Sequence, residues 1–293
     1  MKVKKVNAFT DSIHGGNPAG VVLESTDLTT NQMKSITTLL QVSETAFVSS
    51  STLADYKVRF FSPTTEVDLC GHATIATFFS MAHDGIIPPS KKPLIVKQET
   101  NAGILPVDIH LTEDNRPKVM MTQSTPILKK ISFKTKSIAQ SLCIEETAIN
   151  QTLPRCIVST GLYTLPICIN SLDILKEINP DFGLVKTLCT QLGVGSMHVY
   201  TFDTFDENSL YHARNFAPLY GINEDPVTGT ANGAVCSYLY QSKKITENNI
   251  ICEQGDIIGR PGRVFVEIDQ KSIKVGGTAT LVKEQEIRGD EIQ

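Results

Sequence analysis

A chain of 293 residues, 41% hydrophobic and 20% charged, is long enough for two cores of about 100–150 residues each. Its net charge of −4 and scattered Lys and Arg residues exclude a nucleic-acid footprint, which needs a basic stripe. No run approaches the ~18 apolar residues of a membrane span, Met1–Asn7 lacks the apolar stretch of a secretion signal, and the seven cysteines form no CxxC pair. A cytoplasmic protein with reduced thiols is therefore expected.

In chain order, Val3–Phe9 alternates as a strand, His14-Gly15-Gly16-Asn17-Pro18 reads as a turn, and Val21–Leu23 resumes a strand. Thr29 with Gln32 forms a capping box ahead of Met33, Ile36, Leu39 and Leu40, which recur at helical spacing. Strands are predicted at Glu44–Ser49 and Tyr56–Ser62, then a helix over His72–His83 that is apolar nearly all round and so should be buried. Strands at Leu94–Gln98, Gly103–His110 and Lys118–Met121 complete the first half.

The second half repeats this grammar. Strands are predicted at Cys156–Ser159, Leu165–Ile169, Met197–Phe202 and Tyr211–Phe216, with helices at Leu172–Glu177 and Phe182–Gln191. A second buried helix, Thr230–Gln241, precedes strands at Arg263–Ile268, Ser272–Val275 and Ala279–Val282. The boundary is placed in Pro117–Pro126. Arg59-Phe60-Phe61-Ser62-Pro63 matches Arg214-Asn215-Phe216-Ala217-Pro218 at an offset of 155 residues (214 − 59). Gly71-His72-Ala73 matches Gly229-Thr230-Ala231 at 158 (229 − 71). Two similar domains related by a pseudo-twofold are expected.

Both glycines fall where a loop becomes the first turn of a buried helix. Such a helix start has unpaired N–H groups and a positive dipole end, and Gly lets a ligand approach the backbone, although tight turns would also explain the glycines. Two such ends facing one cleft would grip a carboxylate and stabilise negative charge developing beside it. Period two puts Glu44 on the face of Val42, Ala46 and Val48. A carboxylate there loses hydration, which suits it to proton transfer, unless its head escapes to water at the strand end. Asp225 precedes Pro226 in the loop before the second glycine, as a helix-entry cap or a catalytic group. His72 follows the first glycine, where the dipole favours a neutral, hydrogen-bonding imidazole. Cys70, also at a helix start, rivals Glu44 as the base, but its counterpart in the repeat is Thr228, which is no base. No group of His, Cys and carboxylates shows metal-ligand spacing and no GxGxxG or Walker loop occurs, so neither metal nor cofactor is expected.

Asn7-Ala8-Phe9-Thr10, Gly16-Asn17-Pro18-Ala19-Gly20-Val21-Val22, Ser43-Glu44-Thr45-Ala46-Phe47, Asp68-Leu69-Cys70-Gly71-His72-Ala73-Thr74, Asp225-Pro226-Val227-Thr228-Gly229-Thr230-Ala231 and Glu253-Gln254-Gly255 with Gly259-Arg260-Pro261 together resemble the PhzF (phenazine biosynthesis) family, nearly end to end. The resemblance implies an α+β fold like that of diaminopimelate epimerase: two α/β barrels, each a curled sheet around a central helix, with the active site between them. It implies an N-terminal domain of residues 1–124 rejoined by about 278–293, a C-terminal domain of 125–277, and a homodimer. It implies a cofactor-independent isomerase acting on a small carboxylic acid, with Glu44 moving the proton and Asp225 and His72 assisting. Gly71, Gly229, Thr230 and Asn17 would bind the substrate. Many relatives carry Ser where this chain has Thr230, so the hydroxyl is kept and the extra methyl narrows the pocket. The alternatives are a Cys70-assisted epimerase or racemase and a non-catalytic binding protein on the same fold.

Overall fold

The computed structural model describes residues 1–269 and 272–292; Gln270, Lys271 and Gln293 lie outside the described residues. The chain divides into an N-terminal unit, Met1–Thr122 with Gly276–Gln293, and a C-terminal unit, Gln123–Val275.

The N-terminal unit contains β1 (Lys2–Ala8), β2 (Asn17–Val22), α1 (Thr30–Leu40), β3 (Thr45–Ser49), β4 (Tyr56–Phe61), β5 (Glu66–Val67), α2 (Gly71–His83), β6 (Leu94–Thr100), β7 (Gly103–Leu111) and β8 (Pro117–Thr122). The predicted turn at 14–18 is shorter than expected, because Asn17 and Pro18 already pair with Ala8 and Asn7 of β1. β8 fills the first half of the stretch read as a domain boundary, with Pro117 at its first residue, where a missing N–H is tolerated. Thr29 and Gln32 form the reciprocal capping box that opens α1.

β1–β2, β3–β4, β6–β7 and β7–β8 are antiparallel, while β2–β3 and β4–β6 are parallel. β8 pairs with β17 (Ile273–Gly277), which runs through Thr278 into β18 (Ala279–Glu286), the antiparallel partner of β1. The sheet thus curls until its ends meet through the returning C-terminal strand. Helix α2 packs on β1, β2 and β3 and also on β8 and β18, so it fills the inside of the curl. That position explains why Ala73 through Met81 are buried without a polar stripe. Helix α1 covers the outer face, where Met33, Ile36 and Leu40 meet Val3, Val22, Val42, Phe47 and Phe61.

The C-terminal unit contains β9 (Ile127–Lys130), α3 (Thr135–Leu142), β10 (Cys156–Ser159), β11 (Tyr163–Cys168), α4 (Leu172–Glu177), α5 (Phe182–Leu192), β12 (Ser196–Thr201), β13 (His212–Ala217), β14 (Ile222–Asp225), α6 (Gly229–Gln241), β15 (Asn249–Gln254) and β16 (Gly262–Ile268). β10–β11 is antiparallel, β11–β12 parallel, β12–β13 antiparallel, β13–β15 parallel and β15–β16 antiparallel. This is the pairing sequence of β1–β2–β3–β4–β6–β7. Helix α6 touches β10, β11 and β16, strands from both ends of that order, so this sheet also curls around one helix. Helices α3, α4 and α5 cover the outer face with Leu142, Leu175, Val185 and Cys189. The fold is α+β, with a curled sheet and a buried central helix in each unit.

The repeat extends to one charged clasp. Arg59 on β4 grips Glu66 on β5 through two hydrogen bonds of 2.8 Å. Arg214 on β13 grips Glu224 on β14 at 2.9 and 2.8 Å. Each clasp ties a strand to the short return strand that delivers the chain to its central helix. The Arg59 guanidinium holds the Glu66 carboxyl below the usual carboxylate range.

All seven cysteines are outside disulfides. Burial pushes the Cys156 and Cys168 thiols up to about 12 and Cys189 to about 11, which keeps them protonated and unreactive.

Candidate active site

In the N-terminal unit the carboxylate comes from a chain reversal. Gln41 ends α1 in the left-handed conformation (φ 52°, ψ 53°) and turns the chain back toward the sheet. Glu44 stands one residue before β3, with its carbonyl accepting from the Gly20 N–H at 3.0 Å. Gly20 is required for that approach, because a Cβ would meet Leu40 Cδ1 at 2.6 Å and Thr45 Cγ2 at 2.8 Å. Strand parity misassigned Val42. Both faces of β3 are buried, and Val42, outside the strand, joins Phe47 in the cluster under α1. The Glu44 side chain keeps 19% exposure.

His72 lies in the first turn of α2, whose start has no side-chain cap. Its Nε2 is 3.3 Å from Glu44 Oε2 and 3.5 Å from Ser43 Oγ. Cys70, at the N-cap position, places Sγ 3.5 Å from His72 Nδ1 and 3.8 Å from Nε2. A Cβ added to Gly71 would meet nothing within 4 Å among the described residues, so the helix start is open at this point. Asn17 is buried at the first position of β2. The unit therefore brings Glu44, Cys70 and His72 together beside uncapped backbone N–H groups. Their ligating atoms all lie within 4.8 Å of one another. Their 26-residue separation in sequence (70 − 44) gives no sign of this proximity.

In the C-terminal unit Asp225 ends β14, three residues before Thr228, the N-cap of α6. The Thr228 hydroxyl donates to Asp225 Oδ2 at 2.5 Å. Gln254, almost fully buried, organises the turn. Its Nε2 donates to the Asp225 carbonyl at 2.8 Å and to Thr228 Oγ1 at 3.1 Å. Its Oε1 accepts from the Thr228 N–H at 3.0 Å and from Asn232 Nδ2 at 2.8 Å. Asn232 Oδ1 in turn accepts from the Tyr211 hydroxyl at 2.8 Å. Gly255 must lack a side chain, since its φ is +92° and a Cβ would meet the Pro226 carbonyl at 2.7 Å. Thr230, next to Gly229, points its methyl at Gly161, 3.6 Å from where a Cβ would stand.

Sequence reasoning gave Gln254 and Asn232 no role, because a buried amide carries no signal until its partners are known. His198 and His212 are both fully buried. His198 Nδ1 faces Asn215 Oδ1 at 3.2 Å, and burial pushes its imidazole down to about 4. His212 Nδ1 lies 2.9 Å from Glu253 Oε2. Glu253 is held below the usual carboxylate range despite its burial, by His212 and by the N–H groups of Phe205 and Asp206.

A cavity lined by Ser25, Thr26, Met33, Ser49, Lys57 and Arg59 touches none of these groups. It lies beside an arginine already committed to Glu66.

The family model for phenazine biosynthesis-like proteins (PhzC-PhzF) matches residues 6–285 of the chain. A protein of Bacillus subtilis called an uncharacterized isomerase is 36% identical, over 96% of each chain. The crystal structure of a PhzF-family phenazine biosynthesis protein from Bacillus anthracis superposes with a TM-score of 0.90 at 33% identity, covering 98% of this chain and 99% of the other. A probable proline racemase from Agrobacterium radiobacter shares the fold at a TM-score of 0.63 and 11% identity, over 99% and 93% of the two chains.

Proposed function

Because the chain belongs to the PhzC-PhzF family of phenazine biosynthesis-like proteins, we propose that it is an isomerase in which Glu44 moves a proton on a small carboxylic acid. Relatives named isomerases support the reaction class. The contact that carries the assignment of the base is Glu44 Oε2 to His72 Nε2, 3.3 Å, at the open start of α2. Glu44 takes a proton from a carbon next to an unsaturated or carbonyl group. The protonated Glu44 then returns it to another carbon of the same molecule, so nothing is consumed. His72 donates a hydrogen bond to the substrate's amine or hydroxyl, or to Glu44 while it is charged. The backbone N–H groups at Gly71 hold the substrate carboxylate, in the manner of a helix start binding an anion. On this reading Asp225 and the Gly229 N–H are further substrate-holding groups, and no cofactor takes part.

Deuterium wash-in from D2O tests the proposal on small unsaturated amino and hydroxy acids. A substrate is expected to gain deuterium at carbon with the parent protein and not with Glu44→Gln. Undiminished wash-in with Glu44→Gln would remove Glu44 as the base. A second reading makes Cys70 a base and the protein an epimerase, favoured by its Sγ lying 3.5 Å from His72 Nδ1. Cys70→Ala separates the two: loss of exchange as deep as that of Glu44→Gln supports the thiol, and retained exchange leaves Glu44 alone.

A further inference from the structure

The two units carry matching rows of side chains on one face of the sheet and cover them differently. Lys57, Arg59 and Phe61 on β4 correspond to His212, Arg214 and Phe216 on β13, at the offset of 155 residues (212 − 57). Alternate strand residues share a face, so each set forms one row. The carboxylates correspond too. Lys57 lies 3.2 Å from Glu99 and Arg59 grips Glu66, while His212 lies 2.9 Å from Glu253 and Arg214 grips Glu224.

In the C-terminal unit the row is closed over. Two helices, α4 and α5, lie between β11 and β12, where the N-terminal unit has α1 between β2 and β3. The Leu175 and Ile178 carbonyls at the end of α4 accept from Arg214 Nη1, and the Phe205 ring stands edge-on to His212 at 5.1 Å. Both His212 and Arg214 are buried as a result. In the N-terminal unit Arg59 Nη1 makes no hydrogen bond among the described residues. Beside the guanidinium lies a cavity of about 290 Å³, whose lining also includes Thr26, Ser49, Ser50 and Lys57. Ser49 is directly opposite Lys57 in the β3–β4 pair, so the two share a face. The Thr26, Ser49 and Ser50 hydroxyls also make no hydrogen bond among the described residues.

The lining is therefore rich in donors. Arg59 Nη1 offers its N–H groups, Lys57 keeps those not facing Glu99, and each hydroxyl can donate. Glu66 and Glu99 neutralise the two cations but leave these donors unmet, so hydrogen bonding rather than excess charge selects the guest. A group dense in acceptor oxygens complements such a lining, and charge-assisted donors favour an ionised one. The volume falls at the lower end of the ~300–1,000 Å³ of ligand pockets, which limits the guest to a small molecule.

We propose that this cavity is a binding site for a small oxyanion, a carboxylate or a phosphate. Its oxygens take the place that the Leu175 and Ile178 carbonyls hold in the repeat. The cavity is lined by none of Glu44, Cys70 and His72, and the proposal does not depend on the isomerase reading.

Met33 also lines the cavity and supplies a reporter. In the full chain labelled with 13C-methyl methionine, its resonance is assigned through Met33→Leu. Inorganic phosphate and sodium acetate are then titrated separately at pH 7, with ionic strength held constant by NaCl. At least one is expected to shift Met33 saturably while Met197 of the C-terminal unit stays in place, and the tighter binder identifies the source of the oxyanion. Lys57→Met is expected to weaken binding by about tenfold or more, the worth of a hydrogen bond to a charged group. Ser49→Phe, which fills the cavity, is expected to abolish it. Failure of Met33 to saturate with either anion overturns the proposal, as does saturation that persists in a folded Ser49→Phe protein. Should Ser49→Phe not fold, the Lys57→Met titration decides, and unchanged affinity is the overturning result. Acetate held instead at the Glu44 cluster would survive both substitutions, which keeps the two sites distinguishable.

Discussion

At the start of α2 stand Glu44, Cys70 and His72, three groups able to take or lose a proton, whose measured contacts run from 3.3 to 3.8 Å. At the start of α6 stand Thr228, Asn232 and Gln254, a hydroxyl and two amides, bonded to one another and to the backbone at 2.8–3.1 Å. The scaffold beneath is the same: a curled sheet, an Arg–Glu clasp, a short return strand and a buried helix. What differs is commitment. The amides at α6 spend their hydrogen bonds on fixing a loop, whereas Glu44 and His72 at α2 face one another at 3.3 Å beside an uncapped helix start. The duplicated frame supplies two helix starts, one bearing titratable side chains and the other a network of buried amides.

The widest separation between the two helix starts is expected from a pair of variants. Glu44→Gln should lower turnover by about 10²–10⁴-fold, the usual worth of a general acid/base, with an unchanged melting temperature. Gln254→Leu should do the reverse, destabilising the fold by about 2–3 kcal/mol, because Thr228 N–H and Asn232 Nδ2 lose a buried acceptor. Equal effects of the two variants on stability would break the comparison.

The clasps sharpen it next. Arg214 also donates to the Leu175 and Ile178 carbonyls at 3.1 and 2.7 Å and keeps 8% side-chain exposure, against 29% for Arg59. In denaturant unfolding, Arg214→Met should cost about 2–3 kcal/mol, since a half-buried carboxylate and the Leu175 and Ile178 carbonyls lose their donor. Arg59→Met should cost about 1 kcal/mol.

His198 belongs to the rigid unit and gives it a pH signature. Its folded value of about 4 lies below the ordinary 6.5, so the unfolded chain binds the extra proton first. Its contribution is complete above about 6.5 and is lost as pH falls toward 4, by about 3 kcal/mol at ~1.4 kcal/mol per unit. His198→Gln should flatten that part of the stability profile, and an unchanged slope would remove His198 from the account.

The smallest effect tests the open helix start. Gly71→Ala adds a methyl that meets no described atom and gains helix propensity, so stability should rise by up to about 1 kcal/mol. The same methyl stands where the substrate carboxylate is proposed to approach, so KM should rise.

Much of this frame was legible in the sequence, and the reasons are specific. The capping box at Thr29 and the apolar runs of α2 and α6 are local signals, and local signals survive into the fold. Helix α3 escaped notice because Lys134 at its N-cap makes no side-chain bond and its first turn has no acidic residue. β9 was missed because its residues are half-exposed or exposed and show no alternation. The side-chain cluster was only partly legible. Glu44, Cys70 and His72 each stood out by type, but the left-handed turn at Gln41 decides that they meet, and no periodicity encodes that turn.

The return of β18 to β1 has a consequence for how the molecule is made. Lys2 pairs with Glu286 and Ala8 with Ala279, so β1 waits for a strand made at least 271 residues later (279 − 8). The C-terminal unit, an uninterrupted stretch from Gln123 to Val275, has all its strands in hand earlier. Vectorial synthesis therefore favours completion of the second unit before the first, against the usual N-terminal-first order. A chain stalled or clipped after Val275 would carry a finished C-terminal unit and an unclosed N-terminal sheet, with β1 exposed along one edge for other chains to pair with.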